Sequence, residues 1–377
     1  MTEPQHISAI ILAAGFSSRM GDFKPLMPIG EHSALERLIR LYQYAGVMET
    51  LVVTGHRRDE IAPIANGLGA KPVFNERFHD GMMSSIKTGL ANISDKSEAF
   101  FIQPVDIPLI RPRSLQELTA GLDRDTYDIA YPYFANRRGH PPLISTILRE
   151  GILAWNGSGG LRAFVAGANV KSIDVPVVDE FVLLGMNEQD QYKSLIDRLP
   201  NYDIPSYTEC MVLLTEKFSV SQDLIQHCQK VAEVSLAIAR KLSKLDFRLN
   251  EQLLMASALL HDAAKGTPNH AEVAATVIEG YGFPRVAELV RRHMESDVSL
   301  DDPVNELDVL RLADRLVQSD SIVNIEARFA KKRDLYQADK DALQAIGIRF
   351  ENVMELKKKI QNALGQPPDN VVAKHFE

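Results

Sequence analysis

Cysteine is almost missing from this chain: only Cys210 and Cys228 occur among 377 residues, and no CxxC spacing can be drawn. That excludes a disulfide framework and a cysteine-rich zinc site, and it fits a reducing compartment. Positive charge is also short. The 42 Lys and Arg face 50 Asp and Glu, a formal net charge of −8. A nucleic-acid partner, which needs a basic field, is therefore not expected, although a local basic pocket for phosphates is still allowed. The apolar run at residues 7–14 stops at Gly15 and has no basic flank before it. It is too short for a membrane span and wrong for a signal peptide. Repeats and low-complexity tracts are absent. The expectation is a soluble cytoplasmic protein without a membrane partner.

What is present is ordinary globular material, 45% hydrophobic and 24% charged. At roughly 150 residues per domain the length suggests two domains, each able to bury a core. Up to about residue 190 strands and helices alternate. Strands are expected at 7–13, 50–54, 71–74 and 99–103, and helices at 35–44, 59–65, 84–90 and 113–120. Ser33 is a plausible N-cap and Pro112 suits a first turn. This alternation implies parallel strands joined by crossovers, hence an α/β sandwich. Beyond residue 207 the period is 3.6, over 224–242, 250–261, 270–281, 284–293, 305–319 and 349–363, so this half reads as all-helical. The expected division is a first domain over 1–199, a linker at 200–206 (PNYDIPS), a second domain over 207–365 and a poorly ordered tail at 366–377.

The segment 12–24 reads LAAGFSSRMGDFK and directly follows a strand. Small residues let a backbone approach a ligand, and Gly15 and Gly21 allow unusual dihedrals. Backbone N–H groups in such a loop cradle phosphates, and Arg19 and Lys24 would neutralise their charge. A generic strand-to-helix loop would explain Gly15 alone, but not the whole string. Asp106, in QPVDIP, also follows a strand, where open α/β sheets place ligands. One carboxylate beside a phosphate loop suits Mg²⁺. Alone, Asp106 could equally start a turn before Pro108. In the helical half, His227, His261, Asp262, His270, His293 and Asp314 are spread over several helices. Any one of the four histidines could simply be a packed or surface residue. As a set they fit a divalent metal site.

The loop string resembles the signature of MobA-like NTP transferases, most closely the molybdenum cofactor cytidylyltransferases. The segments TGH (54–56), NERFHDGMMSSIKTGL (75–90), PVDIPLI (104–110), RRGHPPLI (137–144), GSGGLR (157–162) and NEQDQY (187–192) resemble the same family in the same order. The resemblance implies a Rossmann-like, three-layer nucleotidyltransferase. It would move CMP from CTP onto a molybdopterin-type cofactor phosphate, releasing pyrophosphate. It implies that Leu12, Ala13, Ala14, Gly15, Ser17, Arg19 and Lys24 hold the nucleotide, Arg19 and Lys24 acting on the phosphates. Asp106 and the Asn187 amide would hold Mg²⁺. Gly81 and Ser85 would line the base or cofactor pocket, and Gly139, His140 and Pro141 the acceptor pocket. Ala14 and the RGHP segment look like the cytidylyl branch. Two positions depart from the family: Val105 replaces a frequent Gly, and Gly185-Met186-Asn187 replaces a DxD-type string. A molybdoenzyme that receives the cofactor is a candidate partner. A sugar or polyol phosphate is the alternative acceptor.

The second half resembles the HD phosphohydrolase superfamily over about 207–330. That resemblance implies His227, His261, Asp262 and Asp314 as metal ligands. His270 and His293 fall where two-metal members add ligands, and Lys265 matches an HDxxK variant in which lysine meets a substrate phosphate. It implies Fe, Mn or Mg, as one ion or two, and metal-assisted hydrolysis by water. The alternative is a regulatory module that binds a nucleotide without cleaving it.

Overall fold

A computed structural model describes residues 6–17, 20–156, 159–295, 297 and 299–376. Contacts divide the chain into two units, Met1–Pro200 and Asn201–Glu377.

In the first unit, β1 (Ile7–Leu12) is buried at every position. It pairs in parallel on both sides, with β2 (Glu49–Thr54) and β4 (Ala99–Pro104). An unbroken apolar run is what a strand covered on both faces requires. α1 (Ala34–Tyr44) and α2 (Arg58–Gly67) flank β2, and β3 (Lys71–Phe74) extends the sheet beyond it. α3 (Met82–Asn92) leads to β4, and α4 (Pro112–Gly121) leads to β5 (Ile129–Phe134). β6 (Arg137–Arg138), β7 (Leu143–Ser145), α5 (Arg149–Ala154), α6 (Gly160–Gly167), β8 (Ser172–Pro176) and α7 (Gln189–Arg198) complete the unit. The order is β8-β5-β7-β4-β1-β2-β3, with β6 paired to β5. α1 starts in a reciprocal capping box: Glu36 N–H donates to Ser33 Oγ and Ser33 N–H donates to the Glu36 carboxylate.

The strands expected from the sequence pair in parallel, and the sheet as a whole is mixed. β7 runs antiparallel to both β4 and β5. The connection from β5 to β7, residues 135–142, is too short for a parallel crossover, so the chain turns back. From β1 the chain moves toward β2 and β3, while β4 lies on its other side. Leu12 stands opposite Pro104 at the carboxyl ends of β1 and β4. This reversal is a topological switch point, where a crevice opens.

The second unit is helical: α8 (Tyr207–Val212), α9 (Gln222–Ser243), α10 (Glu251–Leu260), α11 (His270–Gly280), α12 (Pro284–Arg292), α13 (Glu306–Leu316), α14 (Ile325–Leu335), α15 (Lys340–Leu364) and α16 (Pro368–Phe376). α10 is buried over most of its length and packs on α9, α12 and α13. Three expectations change here. The helix expected at 305–319 stops at Leu316, where Val317–Gln318 pairs with Ser321–Ile322. The helix expected at 349–363 begins at Lys340. The tail is not loose: Val371 and Val372 of α16 are buried, and α16 packs on α9. Proline at a first helical position is tolerated, so Pro368 starts a helix rather than preventing one.

Candidate active sites

The crevice at the switch point holds a cavity of about 340 Å³. Leu12, Ala13, Ala14, Gly15 and Ser17 form one wall, Gly81, Met82 and Ser85 another, and Lys24 and Asp106 reach in between. Ser17 has φ of +56°, a left-handed conformation unusual for serine. Its Oγ accepts the N–H of Lys24 at 3.1 Å, folding the loop back on itself. Lys24 Nζ then donates to Asp106 Oδ2 at 3.2 Å and to Asn187 Oδ1 at 2.8 Å. Gly81 precedes α3 with φ +90° and ψ −175°, a region open essentially to glycine alone. The first turn of α3 therefore faces the cavity with N–H groups that lack a side-chain cap, which favours an anion. Behind the cavity, Asn75 Nδ2 donates to Ser85 Oγ at 3.0 Å.

Buried polar groups hold the Asp106 segment. Tyr42 Oη donates to Gln103 Oε1 at 3.0 Å. Gln103 Nε2 donates to the carbonyls of Pro104 and Ile107, on either side of Asp106. The fully buried Asp179 accepts from Arg111 N and Nη1, Ser114 Oγ and Phe181 N. Burial pushes its carboxyl up, against the pull of Arg111. Gly139 is pressed against Val182: a Cβ there would lie 2.6 Å from the Val182 carbonyl oxygen. His140 has an exposed surface, yet desolvation pushes its imidazole down, with Asp106 pulling the other way.

The second site joins α9, the end of α10, the segment after it, α11, the end of α12 and α13. His227 and His261 Nε2 each lie 3.6 Å from Asp314 Oδ1. The same two atoms lie 3.9 and 3.6 Å from Asp262 Oδ2. His270 and His293 Nε2 approach the other Asp262 oxygen, Oδ1, at 3.3 and 3.8 Å. Nδ1 of His227, His261 and His293 each meets a backbone carbonyl, of Ser319, Ala258 and Val290 respectively. Such a contact places the proton on Nδ1 and leaves the Nε2 lone pair free. All four Nε2 atoms are buried with no hydrogen-bond partner. Orphaned buried acceptors of this kind are costly, and a divalent ion satisfies them. Two groups can hold an ion, His227–His261–Asp262 and Asp262–His270–His293, so Asp262 is common to both. Burial pushes His293 down to about 4, so it is neutral near pH 7. Burial would raise Asp314, but polar contacts with His227 and His261 hold it well below the ordinary carboxylate range. Lys265 Nζ pairs with Asp262 Oδ2.

Residues 9–173 match the family model of the MobA-like NTP transferase domain, and residues 224–318 match that of the HD domain. The chain joins a MobA-like NTP transferase domain to an HD domain. The bifunctional protein GlmU of Sorangium cellulosum is 31% identical over 130 residues, 33% of this chain and only 28% of GlmU. The probable molybdenum cofactor guanylyltransferase of Bacillus cytotoxicus is 24% identical over 202 residues, 50% of this chain and 96% of that protein. The molybdenum cofactor cytidylyltransferase of Escherichia coli K12 is 24% identical over 200 residues, 51% of this chain and 96% of that protein.

In the transferase domain, Leu12–Gly15, Ser17, Lys24, Gly81, Ser85 and Asp106 meet at one cavity. Asn187 joins them through Lys24. Arg19 lies outside the described residues. Gly139, His140 and Pro141 are not among the residues that line this cavity. In the HD domain all six ligand candidates converge. Sequence reasoning missed Phe16, Phe78 and His79, whose rings gather beside the cavity with centroids 4.0–5.3 Å apart. It also missed the Arg111–Asp179 pair. The available signal there was a charged residue inside the apolar run around Asp179.

Proposed function

We propose that the transferase domain moves CMP from CTP onto the phosphate of a molybdopterin-type cofactor and releases pyrophosphate. The observation that carries this reading is the single cavity in which the 12–17 loop, the start of α3, Lys24 and Asp106 converge. The resemblance to a molybdenum cofactor cytidylyltransferase over 96% of that protein supports the acceptor. Ala14 supports the base: it is buried and lines the cavity, and alanine at this loop position resembles the cytidylyl branch.

In this reading a phosphate oxygen of the acceptor attacks the α-phosphorus of CTP, and the bond to the β-phosphate oxygen breaks. The acceptor is already ionised near pH 7 and needs no general base. Loop amides and the start of α3 grip the triphosphate. Lys24 neutralises charge as pyrophosphate departs. Asp106 and Asn187 would hold Mg²⁺, which supplies further charge neutralisation on the phosphates. The residues present fit that ion, because their oxygens already converge on one cation, the Lys24 ammonium.

The HD domain, in the same reading, is a metal-dependent phosphohydrolase. His227, His261, Asp262 and Asp314 would hold one ion, and His270, His293 and Asp262 a second. A bound ion supplies a Lewis acid and activates water. Lys265 would meet a substrate phosphate. Mass spectrometry of reactions with CTP or GTP and the molybdenum cofactor tests the transferase half. A cytidylylated pterin is expected. A cytidylylated sugar phosphate, or no pterin product with any metal, would overturn the acceptor assignment. Hydrolysis of phosphate esters by the purified metal-loaded protein tests the HD half. Binding without turnover would leave it a sensor.

A further inference from the structure

A set of cations borders the HD centre. Arg315 Nη1 donates to Asp314 Oδ2 at 2.6 Å. Arg328, on α14, donates from Nη1 to the carbonyls of Asp314, Arg315 and Val317 at 3.2, 3.0 and 2.8 Å, closing the end of α13. Lys332 follows Arg328 by four residues and shares its helix face. Arg349 comes from α15, which packs on α14 with the rings of Phe329 and Phe350 5.3 Å apart. Lys332 and Arg349 are exposed. Partial desolvation, then the like charges of Arg328, Arg315 and Arg349, push the Lys332 ammonium down, and Asp314 pulls the other way.

Two lysines of α15 are matched. Lys357 pairs with Glu326 and Asp369, and Lys359 pairs with Asp308. Among the described residues, no carboxylate forms an ion pair with Lys332 or Arg349. Like charges held together without a partner oppose folding, and they attract anions. α14 and α15 also lie beyond the HD match, which ends at residue 318.

We propose that Arg315, Arg328, Lys332 and Arg349 form a subsite for the second phosphate of an oligophosphate. Its first phosphate would meet the histidine–aspartate centre. The ligand class is an anion with two or more linked phosphates, rather than a phosphate monoester. The proposal rests on the reading of that centre as a metal site.

The test uses the full chain carrying Lys24→Ala and Asp106→Ala, which silence the phosphate loop. It is loaded with Mn²⁺, and its metal content is measured before and after calorimetric titration with pyrophosphate or orthophosphate. Pyrophosphate is expected to bind about tenfold or more tighter than orthophosphate. Adding Lys332→Gln and Arg349→Gln should abolish that preference with little change for orthophosphate, while Lys332→Arg alone should keep it. Equal binding of the two anions, or a preference that survives the double change, overturns the subsite. Less than one Mn²⁺ per chain overturns the metal reading, and the subsite falls with it.

Discussion

Lys24 is the side chain on which the transferase cavity turns, because one ammonium binds both Asp106 and Asn187. Replacing it with alanine removes the charge that would face the departing pyrophosphate in the proposed reaction and frees two oxygens. The kcat/KM for pyrophosphate release from CTP is expected to fall by about 10²–10³-fold. The melting temperature should barely move. A large loss of stability would make Lys24 structural. Gly139 predicts the opposite pattern. A methyl there meets the Val182 carbonyl oxygen at 2.6 Å and its Cγ2 at 2.7 Å. The same carbonyl accepts from His140 N at 2.8 Å, so it is not free to shift. Gly139→Ala should cost about 2–3 kcal/mol, read from denaturant midpoints.

At the scale of elements, caps and buried imidazoles set the expectations. Ser33→Ala removes half of the α1 capping box and should cost about 1 kcal/mol. His293, at the end of α12, gives a pH dependence. Its unfolded value is about 6.5, and in the fold it is pushed down to about 4. Between those values the unfolded chain binds more protons, so stability falls as pH drops from 6.5 toward 4, by about 3 kcal/mol in all. Urea unfolding of the metal-free protein at pH 7 and 4.5 measures this. An equal pH dependence in His293→Gln would refute it. Elements of this kind were largely legible in the sequence. β1, α1, β3 and α9 were expected from apolar period, and Ser33 from its side chain. Residues 129–176 were harder, because β7 is three residues long and its antiparallel course depends on the preceding connection. α14 and α16 have little periodic signal and depend on their partners. The six HD ligand candidates were visible as residue types, but the sharing of Asp262 became visible only in three dimensions.

At the scale of the whole chain, the proposed functions give the two units different ligands, and the units are expected to respond separately. On that proposal, CTP with Mg²⁺ should raise one thermal transition by binding the native transferase domain, while a chelator should lower the other by stripping a metal from the HD domain. Scanning calorimetry with each addition checks this, and a single transition moved by both would refute it. The bridge from Lys24 to Asp106 and Asn187 also bears on kinetics. Before nucleotide arrives, one carboxylate is balanced by one ammonium, and the remaining ligand is a neutral amide. A bare divalent cation gains little on entering a charge-balanced site. The ion should therefore arrive already chelated by the triphosphate, so that initial rates track the concentration of the Mg–CTP complex and show no separate saturation by uncomplexed Mg²⁺.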